Sequence, residues 1–208
     1  MSATIRLSWL AIMLGSLGVA GYALVGYLVV PLGDLVHPEM KAAFETYRVG
    51  IYSHIFASLV ALAIGPFQFV PWIRQRYLNV HRWSGRAYLT CIGIGGLSGF
   101  YVAQFAFGGV VSIVGFSMLA LLWLLTGWQA FTAIRRGDIS RHREWMIRSF
   151  ALTLAAVTLR IQLGLYAATG NDFEVFYPLL AWTSWVPNMI LAEWYIHHGR
   201  SNEMTRAE

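Results

Sequence analysis

Two short stretches of the sequence combine a histidine with arginines at similar spacing. They read His81-Arg-Trp-Ser-Gly-Arg86 and His142-Arg-Glu-Trp-Met-Ile-Arg148, and each leads into a long apolar stretch. Histidine nitrogens ligate haem iron and other metals, and arginines pair with propionates and other anions. The motifs therefore predict a bound anion, haem or metal. Two alternatives are that they only anchor helices among anionic lipid headgroups, or that they recur by chance.

A further basic residue, Arg160, stands inside an apolar run rather than beside one. An arginine near the middle of a lipid-embedded helix costs roughly 2.5 to 3.5 kcal/mol on insertion scales. Such a residue is usually held against a partner inside a helix bundle or a wet cavity. We therefore treat Arg160 as a candidate ligand-binding residue. The alternative is an arginine whose long side chain only reaches the headgroups.

The composition is that of a membrane protein. Of the 208 residues, 57% are hydrophobic and 12% are charged, against roughly 25% charged in soluble globular domains. The formal net charge of +5 comes from short loops between apolar runs, which favours orientation in a membrane over nucleic-acid binding. The single cysteine, Cys91, gives no disulfide framework and no CxxC motif.

The apolar runs predict an all-α fold, a six-helix transmembrane bundle in a single domain over residues 1–208. Each run is long enough to cross a hydrocarbon core about 30 Å thick. The predicted spans cover about residues 9–31, 51–72, 86–107, 109–133, 145–168 and 176–196. We interpret the first as a retained helix rather than a cleaved signal peptide. In the third span, Gly95 and Gly99 have the spacing that favours close contact with another helix.

The distribution of positive charge predicts the orientation of this bundle. The N-terminus, the loops at 73–86 and 134–148 and the C-terminal tail together carry twelve Lys or Arg residues, whereas the intervening loops carry two. Cytoplasmic loops are the ones enriched in Lys and Arg. We therefore expect both the N- and C-termini and both arginine-rich loops to be cytoplasmic, and the polar segment 32–50 to form an outer loop with a short amphipathic helix.

Counting helical rise at about 1.5 Å per residue sorts the polar residues of the spans into two layers. The outer layer contains His54, Gln104, and Arg160 with Gln162. The inner layer contains Gln68, His81, Arg86, His142, Arg148 and Glu193, and Asn188 follows a proline within the sixth span. We expect Arg160 to face the bundle interior beside His54 and Gln104; alternatively, His54 is only a hydrogen-bonded helix histidine.

In the inner layer, we expect His81 and His142 to face one cytoplasmic-side cavity. Glu193 is the only acidic residue inside any predicted span, so it is the residue available to balance the arginines.

Taken in order along the chain, these residues resemble a known family. The resemblance is carried by His54, Gly65-Pro66-x-Gln68, the two His-Arg motifs, Gly137-Asp138, Arg160, Trp185-x-Pro-Asn188 and Glu193. These features, over roughly residues 50–196, resemble the bacterial predicted membrane proteins grouped as domain of unknown function 2306. The resemblance implies a multi-pass protein of the bacterial inner membrane, and the family has no established activity.

Three functions fit these observations, and whether the protein is an enzyme stays open. The first is a haem b protein or membrane oxidoreductase, with His81 and His142 as ligands of haem iron or another metal and His54 as a further ligand. The second is a transporter or binder of a small or lipidic anion held by Arg86, Arg148 and Arg160. The third is an accessory subunit that meets the lipid bilayer and a membrane partner or a second copy.

Overall fold

The computed structural model describes residues 3–169 and 172–205, with side chains over 7–168 and 172–199. Within these ranges the fold is all-helical. The helices are α1 (Ala3–Val29), α2 (Pro38–Thr46), α3 (Arg48–Ile64), α4 (Pro71–Arg76), α5 (Leu78–Ala103), α6 (Gly109–Arg135), α7 (Ile139–Thr153), α8 (Ala155–Thr169), α9 (Phe173–Thr183) and α10 (Val186–Thr205), with a short 3₁₀ helix at Pro66–Phe69.

Four segments are long and apolar enough to cross a membrane, which confirms a helical membrane fold. They are Leu7–Val29, Arg48–Phe69, Gly109–Arg135 and Ile139–Ala168. The predicted third span lies in α5, which also contains the polar motif His81–Arg86, and the predicted sixth span is divided between α9 and α10. The count of six spans and the side on which each terminus lies therefore stay predictions.

The core is built where α3, α5, α6 and α7 meet. Tyr88 and Ile92 of α5 are buried against Trp123 of α6 and Phe150 of α7. The glycine pair of α5 lets α3 approach closely, because a Cβ on Gly95 would lie 3.1 Å from Ser58 Oγ and one on Gly99 would lie 2.7 Å from His54 Nδ1. The predicted helix contact at this pair is confirmed.

The two histidine motifs lie inside helices rather than ahead of them. Helix α5 begins at Leu78, eight residues before the predicted span, and α7 begins at Ile139, six residues before the predicted fifth span. The start of α7 is fixed by Asp138, whose carboxylate accepts a hydrogen bond from the Arg141 backbone N–H at 2.9 Å. Such a cap satisfies a backbone donor that the helix itself leaves free.

The predicted fifth span is interrupted between α7 and α8, at Leu154. The predicted sixth is interrupted between α9 and α10, and Pro187 is the second residue of α10. Proline has no N–H, so it leaves the carbonyl of Thr183 without its helical donor. The Gln162 side-chain amide of α8 donates to that carbonyl at 3.2 Å. A side chain of a neighbouring helix thus satisfies the freed group, as a lipid environment requires.

The side chain of Asn188 links the interruption between α7 and α8 to the one between α9 and α10. The two N–H groups of its Nδ2 are shared among three acceptors, the Ala151 carbonyl of α7 at 3.3 Å, the Thr158 hydroxyl of α8 at 3.0 Å and the Ser184 carbonyl at 3.2 Å. We predicted Asn188 only as a polar residue within a span. In the structure it crosslinks helix ends, which is a structural role.

Candidate functional site

A cavity of about 370 Å³ lies between the C-terminal ends of α1 and α5, the N-terminal ends of α3, α6 and α9, and α8. We call it the distal cavity. Helix α2 contributes the partly exposed Met40 and Phe44, and we call this end of the cavity its mouth. We call the part lined by the buried Trp123 and Thr153 its floor. The polar residues on which its chemistry depends are Tyr27, His54, Ser58, Arg160, Tyr177 and Ser184.

Arg160 places a cationic side chain in the wall of this cavity. Its Nη1 donates to the Ala156 carbonyl of its own helix at 3.2 Å, so the guanidinium is folded back along α8. It lies within electrostatic reach of His54 and Tyr177. Over the part of the chain whose side chains are described, no carboxylate comes within 4.0 Å of Arg160, and Glu39 stands exposed at the cavity mouth.

His54 lines the same cavity with a fixed ring orientation. Its Nδ1 lies 2.8 Å from the carbonyl oxygen of Gly95. A carbonyl only accepts hydrogen bonds, so Nδ1 carries the proton and Nε2 keeps the lone pair of the neutral ring. Gly99 makes this position available, because a side chain there would collide with the imidazole. The sequence predicted that His54 and Arg160 are companions, and the structure brings both to one cavity.

Gln104 does not belong to this group, and the prediction that it accompanies Arg160 is wrong. Its Nε2 donates to Ser117 of α6 at 2.9 Å and to the Phe100 carbonyl at 2.9 Å. Depth along a helix gives only one coordinate, and Gln104 faces a different side of α5 from Gly99. Sequence reasoning also missed Tyr27, Tyr177, Ser58 and Ser184, since tyrosines and serines in apolar helices carry no spacing signal.

At the opposite end of the bundle, Arg148 is already neutralised. Its Nε and Nη2 donate to the two carboxylate oxygens of Glu193 at 2.6 and 2.8 Å. Its guanidinium also lies over the Trp145 ring, 4.6 Å from the centroid. Glu193 thus balances an arginine, as the sequence suggested, but this pairing occupies the group that we predicted to hold an anion.

Two further inner-layer residues have structural partners. Arg86 is exposed and stacks over the Trp83 ring at 4.7 Å, an arrangement suited to the headgroup region. Gln68 is buried and donates from Nε2 to the Ser84 hydroxyl at 2.7 Å. The structure therefore gives neither residue a place in a shared ligand site.

His81 and His142 approach each other closely enough to interact electrostatically. The Nδ1 of His142 lies 2.8 Å from the Ala130 carbonyl and donates a hydrogen bond to it. The Nδ1 of His81 is buried and has no hydrogen-bond partner among the described residues.

Burial lowers the pKa of His81, and Arg74, His142 and Arg82 lower it further. The same positive surroundings oppose a metal cation. Among the described residues, no group of three His, Cys, Asp or Glu side chains is placed to hold a metal ion.

Most residues of the distal cavity, and the arginine and histidine residues at the opposite end of the bundle, lie within one region of sequence that is shared with other proteins. A family model described as predicted membrane protein DUF2306 matches residues 51–196, from the first turn of α3 into α10. The chain belongs to the DUF2306 family. The match includes His54, Arg160 and the Arg148–Glu193 pair, so the DUF2306 region contains most of the distal cavity.

One curated relative of this DUF2306 protein comes from Aspergillus versicolor. It is named "Ava biosynthesis cluster protein G" and is 28% identical over 127 residues, which cover 47% of the present chain and 37% of that relative. The chain therefore corresponds to little more than a third of that protein's length. No solved structure matches the chain.

Proposed function

We propose that this DUF2306 protein binds a small amphipathic anion in the distal cavity. The observation that carries the proposal is the position of Arg160 in a largely apolar cavity, with no carboxylate within ion-pair distance among the described side chains. A charge withdrawn from water is costly unless an opposite charge is brought to it. An anionic group at Arg160 would supply that charge, and the apolar walls would cover the rest of the molecule.

The size of the cavity supports a small organic ligand. A volume of about 370 Å³ lies at the lower end of the range of about 300–1,000 Å³ typical of ligand pockets. The name of the Aspergillus relative refers to a biosynthesis cluster, which fits a protein that handles a small organic molecule.

His54 gives the site a preference for acids. The unprotonated Nε2 of its neutral ring can accept a proton from an acidic ligand, while Arg160 holds the resulting anion. An acid that partitions into the membrane in its neutral form would in this way become ionised only inside the cavity. The chain would then need no separate aqueous route for the charged form.

We place the distal cavity in the outer half of the membrane. Six spans with both termini cytoplasmic would put the arginine-rich loops inside and helix α2 outside, over the cavity mouth. The strong asymmetry of Lys and Arg between the two sets of loops supports this orientation.

A haem or metal bound by His81 and His142 is the second candidate. The buried Nδ1 of His81, which has no hydrogen-bond partner among the described residues, supports this candidate. The positive charges of Arg74 and Arg82 oppose the binding of a metal cation there. A Soret band in protein purified after haem-replete expression would support it. A featureless visible spectrum would exclude the haem, and absence of bound metal by elemental analysis would exclude the metal.

The main proposal is tested with a charged ligand and its uncharged counterpart. We would titrate para-methylbenzoate and para-methylbenzyl alcohol into the full chain in lipid nanodiscs and measure binding by calorimetry. We expect the carboxylate to bind and the alcohol to bind at least tenfold more weakly, because a hydrogen bond to a charged group contributes about 1.5–3 kcal/mol.

The matched variants are Arg160→Met, which removes the charge, and Arg160→Lys, which keeps it. We expect the methionine variant to lose the preference for the carboxylate and the lysine variant to retain part of it. Equal binding of acid and alcohol by the unchanged protein, or unaltered carboxylate binding by Arg160→Met, would overturn the proposal.

A further inference from the structure

The surface that follows helix α3 carries positive charge without an acidic residue beside it. Helix α4 begins at Pro71, two residues after Phe69, where a segment long and apolar enough to cross a membrane ends. This surface therefore lies at the level of the lipid headgroups. Residues 71–86 contain four arginines and neither aspartate nor glutamate. All four are exposed and have no carboxylate within 4.0 Å among the described side chains; they are Arg74, Arg76, Arg82 and Arg86.

Two of these arginines, Arg82 and Arg86, stand one turn apart on the same face of α5, with about 5–6 Å between their Cβ atoms. Like charges at this spacing repel each other and weaken a helix. An anion between them would remove the repulsion, and the guanidinium fork matches the oxygens of a phosphate group. Trp83 restrains one member of the pair, because the Arg86 guanidinium lies 4.7 Å from the centroid of its ring. The pair therefore offers two accessible cations to one phosphate.

The face of α5 that carries the two arginines continues as a mostly apolar surface. Thr90, Ile94 and Leu97 follow Arg86 at intervals of three or four residues, and all three are exposed. Because they are exposed, no described helix covers them. From Arg86 to Leu97 the helix rises about 16 Å, close to the thickness of about 15 Å of half a hydrocarbon core. A lipid with its phosphate at the arginines would thus have room for an acyl chain along α5.

We infer that Arg82 and Arg86 bind the phosphate group of an anionic phospholipid whose acyl chain lies along Thr90, Ile94 and Leu97. The other two arginines of the segment, on α4, add positive charge beside the headgroup, which favours an anionic lipid over a zwitterionic one. In the predicted orientation the site faces the cytoplasmic leaflet, whose surface potential is negative. The site lies on the lipid-exposed surface of the bundle and is independent of the distal cavity.

The competing explanation is that the arginines attract anionic lipids only as diffuse charge. Any two exposed arginines at the same end of the bundle would then contribute equally. Helices α5 and α6 are joined by the short connection 104–108 and run antiparallel, so Arg135 and Arg136 lie at the same end as Arg82. Both are exposed, but neighbours in sequence do not face each other on a helix. Removing this pair removes the same charge without touching the proposed site.

The experiment is native mass spectrometry of the full chain, released from nanodiscs that contain equal amounts of phosphatidylglycerol and phosphatidylcholine with identical acyl chains. We expect the unchanged chain to retain phosphatidylglycerol roughly tenfold or more over phosphatidylcholine, since one arginine near a negative surface contributes about fivefold. In Arg82→Gln/Arg86→Gln we expect this preference to fall to about twofold or less. Arg135→Gln/Arg136→Gln should keep it, and Arg82→Lys/Arg86→Lys should keep part of it.

Three results would overturn the inference. The first is that the unchanged chain retains no lipid, or both lipids equally. The second is an equal loss of preference in the two glutamine double variants, which would leave only diffuse charge. The third is displacement of the retained lipid by glycerophosphoglycerol, the headgroup without acyl chains, which would make this a site for a soluble anion. Each result leaves the proposed function of the distal cavity untouched.

Discussion

The carboxylate of Glu193 on α10 accepts two hydrogen bonds from the guanidinium of Arg148 on α7, at 2.6 and 2.8 Å. The Arg148 side chain is only 14% exposed, whereas that of Glu193 is 38% exposed. Removing the acid therefore leaves the less accessible partner with Glu144, 3.8 Å from its Nη1, as its remaining carboxylate. The pair joins the last helix of the bundle to α7.

Replacing Glu193 should destabilise the fold more than replacing the other acid beside Arg148. We expect Glu193→Gln to lower the free energy of unfolding by about 1–3 kcal/mol, the cost of losing a charge-assisted hydrogen bond. Glu144, whose carboxylate oxygen lies 3.8 Å from Arg148 Nη1, is the matched control, and Glu144→Gln should cost less. Unfolding in detergent measures both. Equal losses of stability in the two variants would show that the two hydrogen bonds between Arg148 and Glu193 stabilise the fold no more than the longer contact with Glu144.

The bond from Gln162 to Thr183 predicts a compensating pair of substitutions. Gln162→Leu should cost about 1–3 kcal/mol, because it leaves the Thr183 carbonyl without a donor. Pro187→Ala restores an N–H to that carbonyl, so the double variant should recover stability relative to Gln162→Leu. A double-mutant cycle measures this coupling. Strictly additive losses would mean that Gln162 stabilises the bundle in some other way.

Gly99 should be indispensable for the orientation of His54. A Cβ at this position would lie 2.7 Å from Nδ1 and 2.9 Å from Cε1 of the ring, so Gly99→Ala should displace the imidazole from the Gly95 carbonyl. We expect ligand affinity to fall at least tenfold, since that bond contributes about 1 kcal/mol or more and the cavity also loses volume.

Gly93 provides the control for this substitution. Nothing lies within 4 Å of a Cβ at Gly93, so Gly93→Ala should leave binding unchanged and gain roughly 0.5–1 kcal/mol of helix stability. Binding by Gly99→Ala equal to that of Gly93→Ala would show that the position of His54 is irrelevant to the site.

The lowered pKa of His81 predicts a stability that falls in acid. At pH values between its folded pKa and the ordinary value of about 6.5, the unfolded chain binds more protons than the folded one. Stability should therefore decline as the pH falls through about 6.5 and level off below the folded pKa. His81→Gln should flatten the dependence of Tm on pH between about 7.5 and 5.5. An unchanged slope would contradict the assignment.

High salt separates the causes of this shift. Burial is the largest cause, ahead of Arg74, His142 and Arg82, and salt screens charges but not burial. Most of the slope should therefore persist in high salt. Its disappearance would mean that the arginines dominate.

Reporter fusions test the six-span orientation. We expect probes at Gly137 and at the C-terminal tail to report a cytoplasmic position and a probe at Asp34, before α2, to report the outer side. An externally accessible Gly137 would reverse the bundle and place the distal cavity in the inner half of the membrane.

The sequence placed His54 and Arg160 at one site through their depth in the membrane. The apolar runs give helix order, and helical rise gives the level of His54 and Arg160, so their shared level could be predicted. Rotation about each helix axis depends on packing between elements, which is why Gln104 and Arg86 were assigned to sites that they do not share. The interruption at Leu154 could not be predicted from the sequence either, because no proline or glycine lies there.

The three hydrogen bonds of Asn188 have a mechanical consequence. They join α7 and α8 to the junction between α9 and α10, so a displacement of one junction relative to the other would break bonds at Asn188. The lining of the distal cavity includes Thr153 at the end of α7 and Ser184 at the end of α9. The amide that joins the two junctions therefore also ties together two sides of the cavity wall.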